Sequence, residues 1–209
     1  VAAGYERVLC ITISSGLSGT NNLINLVARD YPQLDIRVID TLNIGIAAGF
    51  QAILAATLLD AGEKLSAIAE KVEQSVKESK VFFCLSTLEY LRRGGRIGKV
   101  AAMLGTLLHI KPIITCNEEG YYVVASKVRG RAQAIAETIA LAVNEAKKHV
   151  KYRLAIASGD ANEEARRVMA ELKRLLPDCG EIIFSDVSPA LVVHTGPGLI
   201  GIGVQALPV

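Results

Sequence analysis

The chain has 209 residues, with 23 Lys and Arg against 21 Asp and Glu, no Trp and a formal charge of only +2. That balance argues against nucleic-acid binding, which draws on a strong basic excess or interleaved aromatics. Apolar residues make up 51% and mean hydropathy is +0.35, yet no window of about 18 residues stays free of charge and turn residues, so no membrane-spanning helix is expected. The length allows one large or two small domains. The excess of Ala, Ile, Leu and Val fits a parallel sheet buried on both faces, and fits a hollow apolar pocket equally well.

Val8–Ile13 is an apolar, β-branched run and reads as a strand. It stops in Ser14-Ser15-Gly16-Leu17-Ser18-Gly19, and Thr20–Asp30 then reads as a helix halted before Pro32. Ile36–Ile39 is a second strand, ending at Asp40-Thr41. Asn43–Leu59 is a long apolar helix closed by Asp60-Ala61-Gly62. Leu65, Ile68, Ala69, Val72 and Val76 recur at helical spacing among charged residues, which predicts an amphipathic helix. Val81–Leu85 is a further strand. Strand, helix, strand, helix with short connections is the pattern of a parallel α/β sheet.

Beyond residue 85 the pattern changes. Ile113–Cys116 and Tyr121–Ser126 flank Asn117-Glu118-Glu119-Gly120 and predict an antiparallel hairpin. Ala132–Lys148 reads as a helix, Arg153–Ala157 as a strand, and Asn162 as the cap of a helix reaching Leu176 before Pro177. Glu181–Phe184 and Leu199–Val204 are the last strands. A hairpin among βα units implies a second domain, which we begin at residue 83. Cys10, Cys84, Cys116 and Cys179 form no C-x-x-C pair, so buried free thiols in a reducing, cytoplasmic setting are expected, with no metal and no cofactor. The opening residues resemble no signal peptide and lack an initiator Met, so the chain reads as a piece of something longer.

Three segments could carry chemistry. At the bend after the first strand, the free amides of a helix start favour an anion. Gly16 and Gly19 permit close approach there, and Ser14, Ser15, Ser18 and Thr20 add hydroxyls. The plainer reading is a helix cap. No Lys follows the glycines as a Walker loop needs, the spacing is not G-x-G-x-x-G, and the hydrolase elbow G-x-S-x-G fails by one residue. A site rich in hydroxyls and poor in cations suits a carboxylate better than a polyphosphate. Asp40 imitates the ribose-binding acid of nucleotide-binding folds, and Ser18, His194 and Asp186 could form a hydrolase triad; both stand as alternatives. In the second segment, Leu88 and Leu91 mark a short helix ending at Gly94-Gly95, after which Arg96 either lies in solvent or points into a crevice to support an acid. In the third, Ser188-Pro189 starts a short helix. His194 ends that helix ahead of the rigid Gly196-Pro197-Gly198, so its ring is either structural or placed for function. His149, after two lysines, is expected to be exposed.

Together these segments resemble the DegV family. I-S-S-G-L-S-G-T, L-E-Y-L-R-R-G-G-R-I-G-K, L-H-I-K-P-I-I, K-V-R-G-R and H-T-G-P-G stand in that family's order across essentially the whole chain. The resemblance implies a two-domain α/β fold. Residues 1–82 would be the remainder of a Rossmann-like parallel first domain, and residues 83–209 a second α/β domain whose mixed sheet contains antiparallel strands. It further implies binding of a long-chain fatty acid, with the acyl chain in the second domain and the carboxylate between domains. In that arrangement Ser18, Ser15, Gly19 and His194 would hold the carboxylate with support from Arg96. Gly16, Thr20, Gly196 and Gly198 would form the surrounding backbone. The protein would be no enzyme itself but the lipid-carrying partner of a separate ATP-dependent fatty-acid kinase subunit. Arg92, Arg93, Lys99, Arg129 and Arg131 are candidates for steering that partner. Family members carry an upstream strand and a Thr-Ser-x-Pro-Ser segment that nothing here matches, so weakened or absent lipid binding is expected of this piece.

Overall fold

The computed structural model describes residues 4–103 and 109–207; Leu108, at the head of the L-H-I-K-P-I-I motif, lies outside them. A two-stranded parallel sheet is formed by β1 (Arg7–Thr12) and β2 (Asp35–Asp40), joined through α1 (Thr20–Ala28). Two helices follow, α2 (Gly45–Asp60) and α3 (Leu65–Lys77), and then β3 (Ser79–Cys84). After the one-turn helix α4 (Glu89–Arg93) and a 3₁₀ turn at Gly98–Met103 come β4 (Ile110–Cys116) and β5 (Tyr122–Arg129). The chain continues as α5 (Arg131–Ala146), β6 (Tyr152–Gly159), α6 (Asn162–Leu175), β7 (Ile183–Asp186), α7 (Pro189–Thr195) and β8 (Leu199–Ala206).

The second sheet has six strands in the order β5-β4-β3-β8-β6-β7. Only β6 and β7 pair in parallel there, and every other neighbouring pair is antiparallel. The fold is therefore α/β with a mixed sheet, and the predicted hairpin is β4–β5. The apolar excess that suggested a parallel sheet has another source: this mostly antiparallel sheet is covered on both faces, and every residue of β8 is buried. The division expected between residues 82 and 83 falls inside β3, all six residues of which pair with β8.

Successive residues of a strand point to opposite faces, and that alternation sorts the core. Phe82, Ile113, Ile156, Ile200 and Ile202 pack with Ala142 of α5 and Leu172 of α6 on one face. Val81, Phe83, Ile114, Tyr122 and Leu199 turn to the other, where Phe50 of α2, Leu91 of α4 and Val100 meet them. A third cluster joins Leu54 and Ala55 of α2 to Ile39 and to Ile68 and Val72 of α3. Helix α2 thus lies between the two sheets, which explains apolar residues around most of its circumference.

Polar side chains lock this arrangement. Gln51 donates from Nε2 to Ser79 Oγ at 2.7 Å, Ser79 donates to the Ser75 carbonyl at 2.8 Å, and Gln205 Nε2 donates to Ser75 Oγ at 2.9 Å. Each removal would leave a buried group unpaired, at about 1–3 kcal/mol. This seam also explains why β3 begins earlier than expected: Ser79 reads as polar, yet its hydroxyl is satisfied internally. Asn162 is the first residue of α6 rather than its cap. Ala161 holds the cap position, and its amide donates to Ser158 Oγ at 3.1 Å. The last parallel strand starts at Ile183 because Ala155–Ser158 offer partners only to Ile183–Asp186. His149 is half-buried beside Glu145, not exposed. On the two-stranded unit, α1 leaves Leu23 and Leu26 each 59% exposed.

Candidate functional site

Ser14 organises the bend after β1. Its amide donates to the Asn43 carbonyl at 2.8 Å and its hydroxyl to the Gly120 carbonyl at 2.9 Å. The same hydroxyl accepts the Gly16 amide at 3.1 Å, and the Ser14 carbonyl accepts the amides of Leu17 and Ser18. Ser14 is wholly buried, so it serves as the pin of the loop rather than as an anion donor. A Cβ on Gly16 would stand 3.2 Å from the Gly120 carbonyl carbon, which shows how closely the β4–β5 turn presses on this bend.

Ser15 is exposed, and its amide donates to both oxygens of Asp40 at 3.2 Å. Asp40 also accepts the Leu42 amide at 2.9 Å. The carboxylate that imitates a ribose ligand is therefore taken up by its own loops. Ser18 and Thr20 share a hydrogen bond between hydroxyls at 2.9 Å. Gly19 has the helical φ of −71° and precedes α1, with open space where a side chain would be.

Arg96 reaches across to this bend. Its Nε donates to the Leu17 carbonyl at 3.3 Å and its Nη1 to the Gly94 carbonyl at 2.7 Å. Among the described residues no carboxylate pairs with it, whereas Arg92 and Arg93 both bind Glu89 at 2.7 Å. Those two guanidiniums hold the Glu89 carboxyl down at about 2.

His194 closes the group from α7. Its Nδ1 is buried with no hydrogen-bond partner among the described residues. An Nδ1–H there would be a buried donor with no acceptor, so the favoured neutral tautomer carries its proton on Nε2, the nitrogen that is not sealed. Among the described residues no acid orients the ring, and Asp186 is exposed on β7. The triad Ser18–His194–Asp186 is not assembled.

Ser18, Thr20, Arg96 and His194 line one cavity of about 260 Å³. Its remaining wall is mostly apolar, with Val81, Phe83, Leu199 and Gly201 from the sheet and Ile44 and Leu191 from the helical side. Tyr122 also faces it, and burial pushes its phenol well above the ordinary value. Ser15, Gly16, Gly19, Gly196 and Gly198 do not line the cavity. Gly196 and Gly198 act behind it, with φ of 69° and 84°, conformations that favour glycine. A Cβ on Gly196 would lie 2.3 Å from the Tyr90 ring, and one on Gly198 would lie 2.0 Å from Ser86 Oγ. They let α7 dock on α4.

Sequence reading missed the sheet residues of this wall. Their signal is the pair Gly201 and Gly203 in β8, since glycine inside a strand marks a close approach or an opening. A Cβ on Gly203 would meet Ile46 and Phe50 of α2 at 2.8 and 2.9 Å; one on Gly201 meets only ordinary contacts beside the cavity. In the K-V-R-G-R segment, Arg131 is drawn into a pair with Glu164 at 2.6 Å and lies over Cys84. All four cysteines are free. Among the described residues no cluster of His, Cys, Asp and Glu could hold a metal, and no helix is long and apolar enough to cross a membrane.

A DegV domain-containing protein of Clostridium perfringens is 38% identical over 204 residues, covering 98% of this chain and 72% of that protein. The crystal structure of a fatty acid binding DegV family protein from Streptococcus agalactiae matches with a TM-score of 0.90 at 25% identity, covering 99% of this chain and 72% of the other. A Thermus thermophilus structure described as fatty acid binding of a DegV family protein matches at 0.89 with 29% identity, covering 99% and 73%. The family described as "Uncharacterised protein, DegV family" matches residues 1–207. With motifs, fold and relatives in agreement along its length, this chain belongs to the DegV family.

Proposed function

We propose that the chain binds a long-chain fatty acid, with the acyl chain along the apolar wall and the carboxylate at the end bearing Ser18, Thr20, Arg96 and His194. The observation that carries this reading is a cavity with a mostly apolar wall that also bears Ser18, Thr20, His194 and Arg96, an arginine with no acid partner among the described residues. The fatty-acid-binding relatives from Streptococcus agalactiae and Thermus thermophilus support the ligand class. Each buried CH₂ contributes about 0.8 kcal/mol, so ten of them supply roughly 8 kcal/mol of gross transfer energy. The polar end then has to orient the headgroup and leave no charge unpaired. Arg96 supplies the charge, the Nε2–H of His194 a directed donor, and the hydroxyls further donors. Ser15 and Gly19 stand outside the cavity lining and belong to the bend that carries Ser18.

We read the chain further as a cytoplasmic carrier that presents the carboxylate to a separate ATP-dependent kinase subunit. Arg92, Arg93 and Lys99 flank Arg96 in sequence and, with the exposed Arg129, offer a basic surface for such a partner. Arg92 and Arg93 stay exposed while they pair with Glu89, whereas Arg131 is partly buried against Glu164 and is left out of that surface.

Lipid extracted from the purified protein and analysed by mass spectrometry is expected to contain fatty acid. Palmitate is expected to raise the melting temperature saturably. His194→Ala is expected to weaken palmitate binding about tenfold, as loss of one hydrogen bond to a charged group implies. An empty extract together with no shift up to the solubility limit of palmitate overturns the reading.

A further inference from the structure

Gly94 ends α4 with φ −75° and ψ −6°, ordinary helical values that any residue adopts. Nothing in the backbone calls for glycine here. A Cβ at this position would nevertheless lie 2.1 Å from His194 Nδ1 and 3.1 Å from His194 Cε1. The next nearest atom is the Tyr90 carbonyl oxygen of the same helix, at 3.1 Å. The missing side chain is therefore replaced by the edge of the imidazole ring, and Nδ1, packed there, is buried with no hydrogen-bond partner among the described residues.

Resting on the fatty-acid reading above, we infer that Gly94 is a positioning residue for His194. By admitting the Nδ1 edge of the ring, it fixes which nitrogen is sealed and which is left open beside the cavity. Its own carbonyl accepts from Arg96 Nη1 at 2.7 Å, so one residue sets both cationic and imidazole donors of the headgroup end. Tyr90 and Gly196 repeat the device one turn away: the Tyr90 ring fills the place of a side chain on Gly196. Helices α4 and α7 thus interlock through two ring-on-glycine contacts, one of which orients the functional ring. In place of Gly94 an alanine would suit the helix end better, because it lowers the entropy of the unfolded chain. The nearest obstacle it meets is the His194 ring, a full ångström closer than the Tyr90 carbonyl oxygen.

The test is a cycle of Gly94→Ala and His194→Ala, each alone and both together, without ligand. Gly94→Ala is expected to shift the His194 ring resonances in histidine-selective NMR while those of His109 and His149 stay in place. It is expected to lower the melting temperature in the parent, and to leave it unchanged or raised once His194 is alanine. Equal destabilisation in both backgrounds, or unmoved His194 resonances, overturns the inference. A palmitate titration separates this from the functional reading. Gly94→Ala is expected to weaken binding about as much as His194→Ala, roughly tenfold. If the parent binds no palmitate, the functional reading fails while the ring-position result stands on its own. If the parent binds palmitate and Gly94→Ala leaves affinity unchanged despite a displaced ring, the positioning role is overturned and the fatty-acid reading survives.

Discussion

The two faces of the six-stranded sheet are built from the same strands and do opposite things. On the face under α5 and α6, β8 presents Ile200, Ile202 and Val204, each fully buried, and the space is filled. On the face under α2 and α7, β8 presents Leu199, Gly201 and Gly203, and the space is divided. Gly203 lets α2 come down onto the sheet, and Gly201 leaves room beneath the cavity. A binding site of this kind is written as omitted side chains on one face, while the other face carries the cost of keeping the sheet folded.

That division of labour predicts a large and one-sided effect for Ile202→Ala. Ile202 is wholly buried and pairs across the sheet with Phe82 and Ile156. Deleting its outer carbons should cost about 2–5 kcal/mol of stability, measured by urea unfolding. Palmitate affinity of the folded protein should stay unchanged, because the cavity lies on the other side. A loss of affinity out of proportion to the lost stability would show that the faces are coupled.

The filled face was legible in the sequence and the open face was not, for a physical reason. Ile200, Ile202 and Val204, like Ile68, Val72 and Val76, announce themselves by apolar periodicity. The anion bend and the Gly-Pro-Gly turn were visible because serine, glycine and proline have local conformational meaning. Which hydroxyls face a ligand is a tertiary matter. Ser14 and Ser18 look alike in the sequence, yet the neighbouring β4–β5 turn takes Ser14 as a pin and leaves Ser18 on the cavity. Gly94 was read as a helix stop, which it is, but the ring it makes room for lies a hundred residues further along the chain. Ser79 hid a strand start because its partners Gln51 and Ser75 lie on two different helices.

A smaller effect on folding and a sharper one on binding is expected from Gly201→Val. The new Cβ would stand 3.5 Å from Leu199 Cδ2 and from Phe83 Cβ, and 3.6 Å from Ala157 Cβ, ordinary contact distances. Strands favour valine over glycine, so stability should hold or rise. The two γ-carbons would occupy space that the acyl chain needs, and palmitate affinity should fall by about tenfold or more. Full affinity in a stable Gly201→Val protein would move the acyl chain away from the sheet and dismantle the contrast between the faces.

The mildest test concerns how each face ends. On the filled face, Arg131 over Cys84 has its own acid, Glu164, with side chains 25% and 31% exposed. On the open face, Arg96 has only carbonyl partners among the described residues. Hydrogen bonding from Arg131 holds the Glu164 carboxyl below its ordinary value. A carboxyl depressed in the folded state binds fewer protons there than in the unfolded chain. Its stabilisation is therefore present above the unfolded value and is lost as pH falls through the folded one. Solvent screens the pair, so Glu164→Gln should cost no more than about 1 kcal/mol at pH 7. The gap between parent and variant should close on acidification below the ordinary carboxylate range, followed by urea unfolding at both pH values. Palmitate affinity should not change with the substitution. A drop would mean that Arg131, once released from Glu164, competes with Arg96 for the headgroup, and that the two arginines are not divided between structure and ligand.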